Sequence, residues 1–252
     1  MSKQKLSAVV ITLNEASCIE KCLEALSFCD EILVIDSEST DTSVGLCKEL
    51  GARVINQPWL GFGPQKNFAV EQAKHDWVLC VDADEEVSPE LRSSIEKQLQ
   101  SPDFSAYKIP RCNRFLGRSL RYGEGYPDLN VRLFDRRQAQ WSLDAVHEKV
   151  TASCAVGIMS GDIIHNSAET LEKYLFTQNS YTSIQAQALF ERGKRVGVAH
   201  LVLSPLVRFI KFYVFKLGFL DGVPGFVHIA IGCMNAFVKY AKLKELSLRA
   251  RE

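Results

Sequence analysis

The sequence predicts an α/β fold, in which a mostly parallel sheet is flanked by helices and followed by a C-terminal extension of amphipathic helices. Two features of residues 1–104 predict the sheet: short apolar runs alternate with segments of helical spacing, and polar residues follow the runs. Such alternation is typical of parallel strands joined by crossover helices. The extension is predicted from residues 198–252, where bulky apolar residues are mixed with spaced cations.

The predicted strands and helices follow each other at short spacing. Each apolar run is too short for a helix, so it is expected to form a strand covered on both faces. The predicted strands are Leu6–Thr12, Glu31–Ile35, Arg53–Asn56 and Trp77–Val81. Helices are predicted from apolar residues that share one face, namely Ile19, Cys22, Leu23 and Leu26, then Val44, Leu46, Cys47 and Leu50, and a third helix should run from about Gln65 to Ala73.

Polar side chains gather where the predicted strands end. In a parallel sheet these ends lie on one edge, and open α/β sheets bind their ligands there. The residues are Asn14 and Glu15 after the first strand, Asp36 and Asp41 after the second, and Asp82 and Asp84 after the fourth. Independent solvated turns would not need to converge in this way, so the shared edge predicts a functional site.

Asp82 and Asp84 end an apolar strand and are separated by one residue. In extended backbone their side chains point the same way. Two such carboxylates suit Mg²⁺ or Mn²⁺, with phosphate oxygens completing the coordination. The alternative is a solvated acidic turn before a helix near Ser88, and Glu85 and Glu86 are expected to face solvent or to stabilise this loop.

Composition narrows the class of protein. The 252 residues suffice for one large α/β domain with an appendage, and 30 basic side chains balance 30 acidic ones. The overall charge therefore indicates no polyanionic partner, and no nucleic-acid-binding motif is present. The eight cysteines form no C-x-x-C pair, and Lys3 and Lys5 lead directly into a strand. A reducing cytosol and no signal peptide are therefore expected.

No glycine-rich phosphate loop follows a strand, because neither G-x-G-x-x-G nor G-x-x-x-x-G-K-[ST] occurs there. A nucleotide would have to be held by carboxylates on its ribose or base and by a metal on its phosphates. A sugar-1-phosphate nucleotidyltransferase, the alternative enzyme class, should begin with a glycine-rich loop, and the segment Leu13–Ser17 is not one.

Four segments resemble, in order and spacing, the family 2 glycosyltransferases, which have the GT-A fold. They are Val9–Glu15, Val34–Asp41, Gln65–Asn67 and Val81–Asp84. Two later segments, Arg132–Phe134 and Val146–Glu148, together with the C-terminal part, are similar to the subgroup of lipopolysaccharide inner-core β-1,4-glucosyltransferases that add glucose to heptose.

The resemblance implies a nucleotide-sugar donor, expected to be UDP-glucose, and a divalent metal. Asp36 would contact the uracil or ribose, while Asp82 and Asp84 would bring Mg²⁺ or Mn²⁺ to the diphosphate. Lys66 and Asn67 would help hold the nucleotide or diphosphate. Together with the residues of the sheet edge, the predicted donor-binding residues are Asn14, Glu15, Asp36, Asp41, Lys66, Asn67 and Asp82, and the predicted metal ligands are Asp82, Asp84 and His147.

The chain departs from the family pattern at two positions. The family often has arginine where Lys66 stands, so a bidentate phosphate contact is lost although a point charge remains. The second-strand motif of the family often has two acidic residues, whereas this chain has Ile35 and Asp36. The nucleobase of the donor would therefore meet one carboxylate fewer than in the family pattern, and the identity of the donor is less well specified.

An arginine-rich loop lies between the short extended segments Ala106–Ile109 and Asn130–Phe134. Because arginine pairs with phosphate and carboxylate groups, the loop predicts an anionic acceptor. A solvated basic loop is the alternative. The loop carries Arg111, Arg114, Arg118 and Arg121, and the predicted substrate contacts are Arg111, Arg114 and, from the second segment, Arg132.

Glu148 is predicted to be the catalytic base. An inverting sugar transfer needs a carboxylate to take the proton of the acceptor hydroxyl, and a metal can neutralise the leaving diphosphate. Asp144 is the alternative base. His147 is expected to bind the metal, contact the substrate or orient a neighbouring group, with a structural role as the alternative. His165, which follows a short apolar strand, is expected to be structural rather than to line the site.

The C-terminal region is expected to be helical. A long helix is predicted from Ala168 to about Arg192, and residues 198–252 carry eight cationic and three anionic side chains. Arg208 and Lys211 interrupt the first apolar stretch, so helices that lie in the membrane interface near anionic lipids fit better than a spanning helix. A helical bundle packed on the sheet, or the interface of a homo-oligomer, is the alternative.

The sequence thus predicts a GT-A domain at 1–167, with nucleotide-sugar binding at 1–104 and the acceptor and catalytic part at 105–167, and a membrane-associating region at 168–252. The predicted activity is metal-dependent, inverting transfer of a hexose to a lipid-linked anionic saccharide at the cytoplasmic face of the inner membrane. A catalytically inactive, membrane-associated protein that binds nucleotide-sugars is the non-enzymatic alternative.

Overall fold

The chain forms two compact units. The computed structural model describes residues 3–143, 148–166 and 170–250. The first unit comprises Met1–Cys112 and Pro127–His165, and the second comprises Asn113–Tyr126 and Asn166–Glu252. Residues 113–126, which the sequence placed in the acceptor part of the first domain, therefore belong to the second unit. Within that unit the backbone N–H groups of Arg121 and Tyr122 donate to the carboxylate of Asp221, at 3.3 and 2.8 Å.

One ten-stranded sheet and a separate strand pair account for the strands of the described residues. The strands are β1 Leu6–Thr12, β2 Glu31–Asp36, β3 Arg53–Asn56, β4 Trp77–Asp82, β5 Glu85–Val87, β6 Ala106–Phe115, β7 Arg118–Ser119, β8 Asp128–Asp135, β9 Ala139–Trp141, β10 Val150–Ala152, β11 Val156–Ile158 and β12 Ile163–Asn166. The order is β3-β2-β1-β4-β8-β6-β12-β5, with β7 and β11 beside β6, while β9 pairs with β10.

The first four strands run parallel, which confirms the predicted α/β fold. In register, Val9 of β1 lies opposite Leu33 of β2 on one side and opposite Cys80 of β4 on the other. From β8 onwards the sheet becomes mixed, because β8 pairs antiparallel with both β4 and β6. The alternation of strands and helices predicted only the parallel half, since the later strands follow one another without intervening helices.

The helices lie close to their predicted positions. They are α1 Ile19–Ala25, α2 Ser43–Glu49, α3 Phe62–Gln72, α4 Pro89–Gln98, α5 Leu171–Glu191, α6 Val198–Phe209 and α7 Gly222–Arg249, with a π-helical segment at Ile210–Phe215 and a 3₁₀ turn at Gly218–Asp221. Helix α3 begins at Phe62 rather than at Gln65. Pro64 is tolerated there because the first turn of a helix does not use its N–H groups within the helix.

Three of the parallel strands, β1, β2 and β4, are largely buried, whereas β3 at the edge is only partly buried. Successive residues of β1 belong to different apolar clusters: Ala8 and Val10 pack in the cluster that contains α1 and α4, and Val9 packs in the cluster that contains α3. The same alternation in β4 places Val81 in the first cluster and Cys80 in the second. Asp82, the next residue, therefore falls on the side of α3, which decides its partners.

The second unit is helical and exposes much apolar surface. Two of its stretches, Val198–Phe215 and Gly218–Arg249, are long and apolar enough to cross a membrane by length and composition. The first of them has none of its residues buried, and in the most apolar 18-residue window of the second 28% of the residues are buried. Thr170 caps α5, with its hydroxyl accepting a hydrogen bond from the Lys173 N–H at 3.1 Å.

Candidate functional site

Two loops at the carboxyl edge of the sheet are tied together by side chains that the sequence predicted there. Asn14, in the left-handed conformation with φ 55°, donates its N–H to the Ser39 hydroxyl and accepts from the Thr40 N–H at 2.8 Å. The Glu15 N–H donates to the Ser43 hydroxyl at 2.9 Å. The carboxylate of Asp41 accepts from the Ala16 N–H at 3.2 Å. The structure thus gives Asn14 and Asp41 loop-ordering contacts, and Glu15 takes part through its backbone.

Asp36 is the last residue of β2, and only one of its two carboxylate oxygens has a hydrogen-bond partner. It is buried, and one oxygen accepts from the Ser39 N–H at 2.9 Å, while the other has no hydrogen-bond partner. The buried hydroxyl oxygen of Thr12, opposite Asp36 in the strand register, has no partner either. An unsatisfied buried acceptor is costly. These two oxygens are therefore suited to hydroxyl or N–H donors of a ligand.

Lys66 joins two carboxylates that lie far apart in the sequence. Its ammonium nitrogen is 3.1 Å from an Asp82 oxygen and 3.1 Å from Oε1 of Glu148, the predicted base. The same nitrogen lies 4.6 Å from the centroid of the Trp141 ring. The side chain of Lys66 is only 8% exposed, so these contacts form in a largely desolvated setting where charges interact strongly.

Arg132 holds the other oxygen of Asp82. Its Nη2 atom is 3.1 Å from Asp82 and 2.9 Å from Glu85, and its Nη1 atom is buried without a partner. Glu85 is buried, accepts from the Asp82 N–H at 3.0 Å, and lies 3.6 Å from the Nε atom of Arg111. Of the two roles expected for Glu85, the solvent-facing one is wrong, because the residue stabilises the loop from inside.

Charge and burial oppose each other in this cluster. Burial by itself would raise the pKa of Asp82, but the attraction of Arg132 and Lys66 outweighs it and holds that pKa well below its usual range. Burial raises the pKa of Glu85, and the nearby Arg132 offsets only part of this effect. Burial would lower the pKa of Arg132, but Glu85 and Asp82 raise it overall, so the guanidinium stays charged.

Asp84 has a different partner from Asp82. Its carboxylate lies 3.1 Å from Nε2 of His165, whose Nδ1 is 3.1 Å from Nη2 of Arg111. The extended backbone expected from Asp82 to Asp84 is not found, because β4 ends at Asp82 and the chain turns before Asp84. The two carboxylates therefore contact different partners, and their joint role at a metal stays a prediction. His165, for which a structural role was expected, contacts Asp84 from β12. Asp82, Ala83 and Asp84 are together called the D-x-D motif.

No group of three or more His, Cys, Asp or Glu side chains in the described ranges could hold a metal ion together. A metal at this edge would therefore have few protein ligands. Asp84 and His165 form the most suitable pair, since Asp82 is already engaged by two cations. Asp144 and His147, predicted as alternative base and metal ligand, lie outside the described residues.

The side chain of Asn67 forms hydrogen bonds with the backbone of Trp141. Its amide accepts from the Trp141 N–H and donates to the Trp141 carbonyl oxygen, both at 3.0 Å. The predicted contact between Asn67 and the nucleotide stays a prediction, and it would use the second N–H of the amide or the second lone pair of its oxygen. The pair of bonds fixes the segment that carries Trp141 beside Lys66, a tryptophan to which the sequence pattern assigned no role.

The chain matches the model of the family described as glycosyl transferase family 2 over residues 7–156. It is a family 2 glycosyltransferase. An uncharacterised glycosyltransferase of Rickettsia typhi is 33% identical, over 98% of this chain and 89% of the relative. The lipopolysaccharide core biosynthesis glycosyltransferase LpsC of Rhizobium meliloti is 30% identical, over 99% of this chain and 96% of the relative.

Solved structures resemble this glycosyltransferase more distantly. S. aureus TarS aligns with 92% of this chain and 49% of its own, at 16% identity and a TM-score of 0.49. Glucosyl-3-phosphoglycerate synthase of Mycobacterium tuberculosis, solved in complex with Mn²⁺, UDP and glucosyl-3-phosphoglycerate, aligns with 44% of each chain, at 25% identity and a TM-score of 0.38.

The predicted arginines of this glycosyltransferase fall into different places. Arg132 and Arg111 contact the acidic cluster of the first unit, as described above. Arg114 belongs to the second unit, where it lies opposite Ser119 in the pairing of β6 with β7. The sequence treated these arginines as one group, and only the fold separates them.

Replacing Arg132 with methionine should leave Glu85 buried without its main partner. We expect R132M to lower the free energy of unfolding near neutral pH by about 3–5 kcal/mol. Without Arg132 the pKa of Glu85, already raised by burial, rises further. The contribution of Glu85 to the variant's stability should then be greatest below the unfolded-state pKa of about 4.3 and be lost as the pH rises through the folded-state pKa. Denaturant unfolding of R132M from about pH 5 to about pH 8 measures this.

The double variant R132M/E85Q is the control for this prediction. It has no ionisable group at position 85, so the additional loss of stability with rising pH should disappear. Lys66 still pairs with Asp82 in both variants. An R132M protein whose stability relative to the double variant does not change with pH would contradict the assignment.

Proposed function

We propose that this glycosyltransferase transfers glucose from UDP-glucose, with inversion, to a heptose of a lipid-linked anionic saccharide in the lipopolysaccharide inner core. The observation that carries the proposal is the Lys66 bridge between Asp82 and Glu148. One ammonium places the D-x-D motif next to a carboxylate that can serve as the base. An inverting transfer needs this combination, with one base and no second carboxylate as nucleophile.

The donor is proposed to bind with its nucleoside at the end of β2. The unpaired oxygens of Asp36 and Thr12 can accept hydrogen bonds from ribose hydroxyls or from the N–H of uracil. The diphosphate then extends towards Asp82, where the unpartnered Nη1 of Arg132 offers a charged donor. Because the chain departs from the family pattern at Ile35 and Lys66, the selection of the donor would depend on Asp36, Thr12 and Arg132.

A divalent cation is proposed to bind at Asp84 and His165. A carboxylate and an imidazole nitrogen 3.1 Å apart can turn towards one ion, and the imidazole favours Mn²⁺ over Mg²⁺. Bound there with the diphosphate, the ion would neutralise the charge that develops on the leaving group. His147 stays a predicted ligand at this position.

Glu148 is proposed to take the proton of the acceptor hydroxyl. As the acceptor oxygen forms its bond to the anomeric carbon, the bond from that carbon to the diphosphate breaks, and the proton passes to Glu148. Lys66 fixes the orientation of the carboxylate before the acceptor arrives. Pre-orientation of this kind removes part of the entropic barrier.

The acceptor class is supported by relatedness along the full chain. The name of the Rhizobium meliloti relative places that protein in lipopolysaccharide core biosynthesis, and the match extends through the second unit as well as the first. An acceptor that is lipid-linked stays at the bilayer, so an enzyme held at the same surface meets it at high effective concentration.

The second unit is proposed to lie on the cytoplasmic face of the inner membrane. Helix α6 and the residues after it expose apolar side chains such as Val202, Leu206 and Phe215. Lys211 and Lys216 stand among them, where they can approach anionic headgroups. A basic amphipathic segment of this kind is typical of helices that lie in the interface.

Replacement of the base should separate turnover from donor binding. We expect E148Q to lower turnover with UDP-glucose and an inner-core acceptor ending in heptose by at least ~100-fold, because a positioned base contributes on that scale. The Kd for UDP-glucose should stay unchanged. Glu71→Gln, an exposed change on the same helix as Lys66, is the control and should keep full activity. A loss below about tenfold would move the role of base to Asp144 or elsewhere.

Metal binding can be tested without measuring turnover. UDP-glucose with Mn²⁺ at about 100 times its Kd should raise the melting temperature by about 5–10 °C. In D84N and H165Q the increase that depends on Mn²⁺ should be lost, and the electron paramagnetic resonance signal of free Mn²⁺ should persist. His75→Gln is the control. Full retention of Mn²⁺ by both site variants would remove the metal site from the proposal.

Membrane association can be tested with substitutions that do not disturb the fold. V202D and L206D change side chains of α6 that are 61% and 51% exposed, so both proteins should fold normally. Co-sedimentation with vesicles that contain phosphatidylglycerol should fall, since each charge opposes entry into the interface. Ile158→Asp, at a similarly exposed position of the first unit, is the control. Unchanged sedimentation of both α6 variants would exclude this surface.

A further inference from the structure

The segment from the end of β3 to the first turn of α3 exposes a pair of aromatic rings. Trp59 and Phe62 are 48% and 53% exposed, and their ring centroids lie 4.9 Å apart in an edge-to-face arrangement. The protein has three tryptophans, all in described residues, and the other two, Trp77 and Trp141, are buried. Exposed apolar clusters of this kind often mark binding sites.

The segment that carries the rings is held in place from below. Gln65 is fully buried, and its amide accepts from the Leu60 N–H at 3.3 Å and donates to the Gln57 carbonyl oxygen at 3.2 Å and to the Ser37 hydroxyl at 3.1 Å. Gly61 has a φ of 96°, a conformation that favours glycine. The rings are thus displayed on an ordered backbone, so binding a ligand to them costs little conformational entropy.

A chain of contacts connects the aromatic pair to the predicted base. Next to Phe62, Gly63 approaches the Ser142 carbonyl oxygen so closely that any side chain at this position would collide with it. The Ser142 N–H donates to the Lys149 carbonyl oxygen at 2.8 Å, and Lys149 follows Glu148. On α3 itself, Phe62 and Lys66 are separated by one helical turn, about 6 Å. The first turn of α3, which carries Phe62, therefore packs against Ser142, whose backbone is bonded to the residue after Glu148.

The chemistry of the segment suits a neutral sugar ring. Residues 56–65 contain two aromatic rings and the exposed or partly exposed amides of Asn56 and Gln57, but no charged side chain. The C–H face of a pyranose packs on an aromatic face, and amides can bind its hydroxyl groups. An anionic lipid surface would instead be met by lysine and arginine, which this segment lacks.

We propose that Trp59 and Phe62 form a platform on which a neutral sugar ring of the acceptor saccharide stacks. This site rests on the proposed glycosyl transfer, because it is the acceptor that the platform would orient towards Glu148. The arginines of the first unit and the platform would have different roles. The arginines would bind anionic groups, and the platform would bind the uncharged face of a sugar.

The test uses UDP-glucose and a deacylated inner-core oligosaccharide, which carries no lipid. Trp59→Ala should raise the KM for the oligosaccharide about tenfold, while kcat and the Kd for UDP-glucose stay unchanged. Trp59→Phe keeps an aromatic face and should restore most of the lost affinity. Leu60→Ala, at an equally exposed neighbour without a flat ring, is the matched control and should behave like the wild type.

Three results would contradict the proposed platform. The first is an unchanged KM in an active W59A protein, which would leave the proposed function standing. A raised Kd for UDP-glucose would assign the ring to the nucleobase, and reduced sedimentation with phosphatidylglycerol vesicles would assign it to the membrane. If the wild type transfers no sugar, the proposed function fails, and saturation-transfer NMR of the oligosaccharide with wild type and W59A still decides whether Trp59 binds a sugar.

Discussion

The buried ion pair between Arg132 and Glu85 is the interaction on which the acidic end of β4 depends. Glu85 is inaccessible to solvent and bonds to the backbone of Asp82, so its charge is tolerated only because a guanidinium lies 2.9 Å away. The same Nη2 atom contacts Asp82. A single arginine from β8 thus compensates the burial of one carboxylate and orients another.

This arrangement leaves the two aspartates of the D-x-D motif with separate tasks. Asp82 is neutralised by Lys66 and Arg132, whereas Asp84 meets only the imidazole of His165 among the contacts described above. Two neighbouring carboxylates that were both exposed would repel each other and any diphosphate. Cations supplied by α3 and β8 remove that repulsion, which is a physical requirement for binding an anionic donor.

Contacts to the backbone, as well as contacts between charged groups, position Lys66 and Glu148. Asn67 forms two hydrogen bonds to Trp141, and Gly63 allows α3 to touch Ser142. Both contacts bring the segment before Glu148 against the helix that carries Lys66. The bridge from Lys66 to Glu148 spans 82 positions of the chain, and its geometry is set by these uncharged contacts.

The sequence by itself determined the parallel half of the sheet and the edge where polar side chains collect. Periodicity and strand ends are local features, so residues such as Asp36 and Asp82 could be placed from pattern alone. Only the tertiary structure decided that Glu85 is buried, that His165 meets Asp84, and that Asn67 bonds to the backbone. These contacts join residues from distant strands and helices, and a one-dimensional pattern carries no information on which side chains the antiparallel half of the sheet brings to the site.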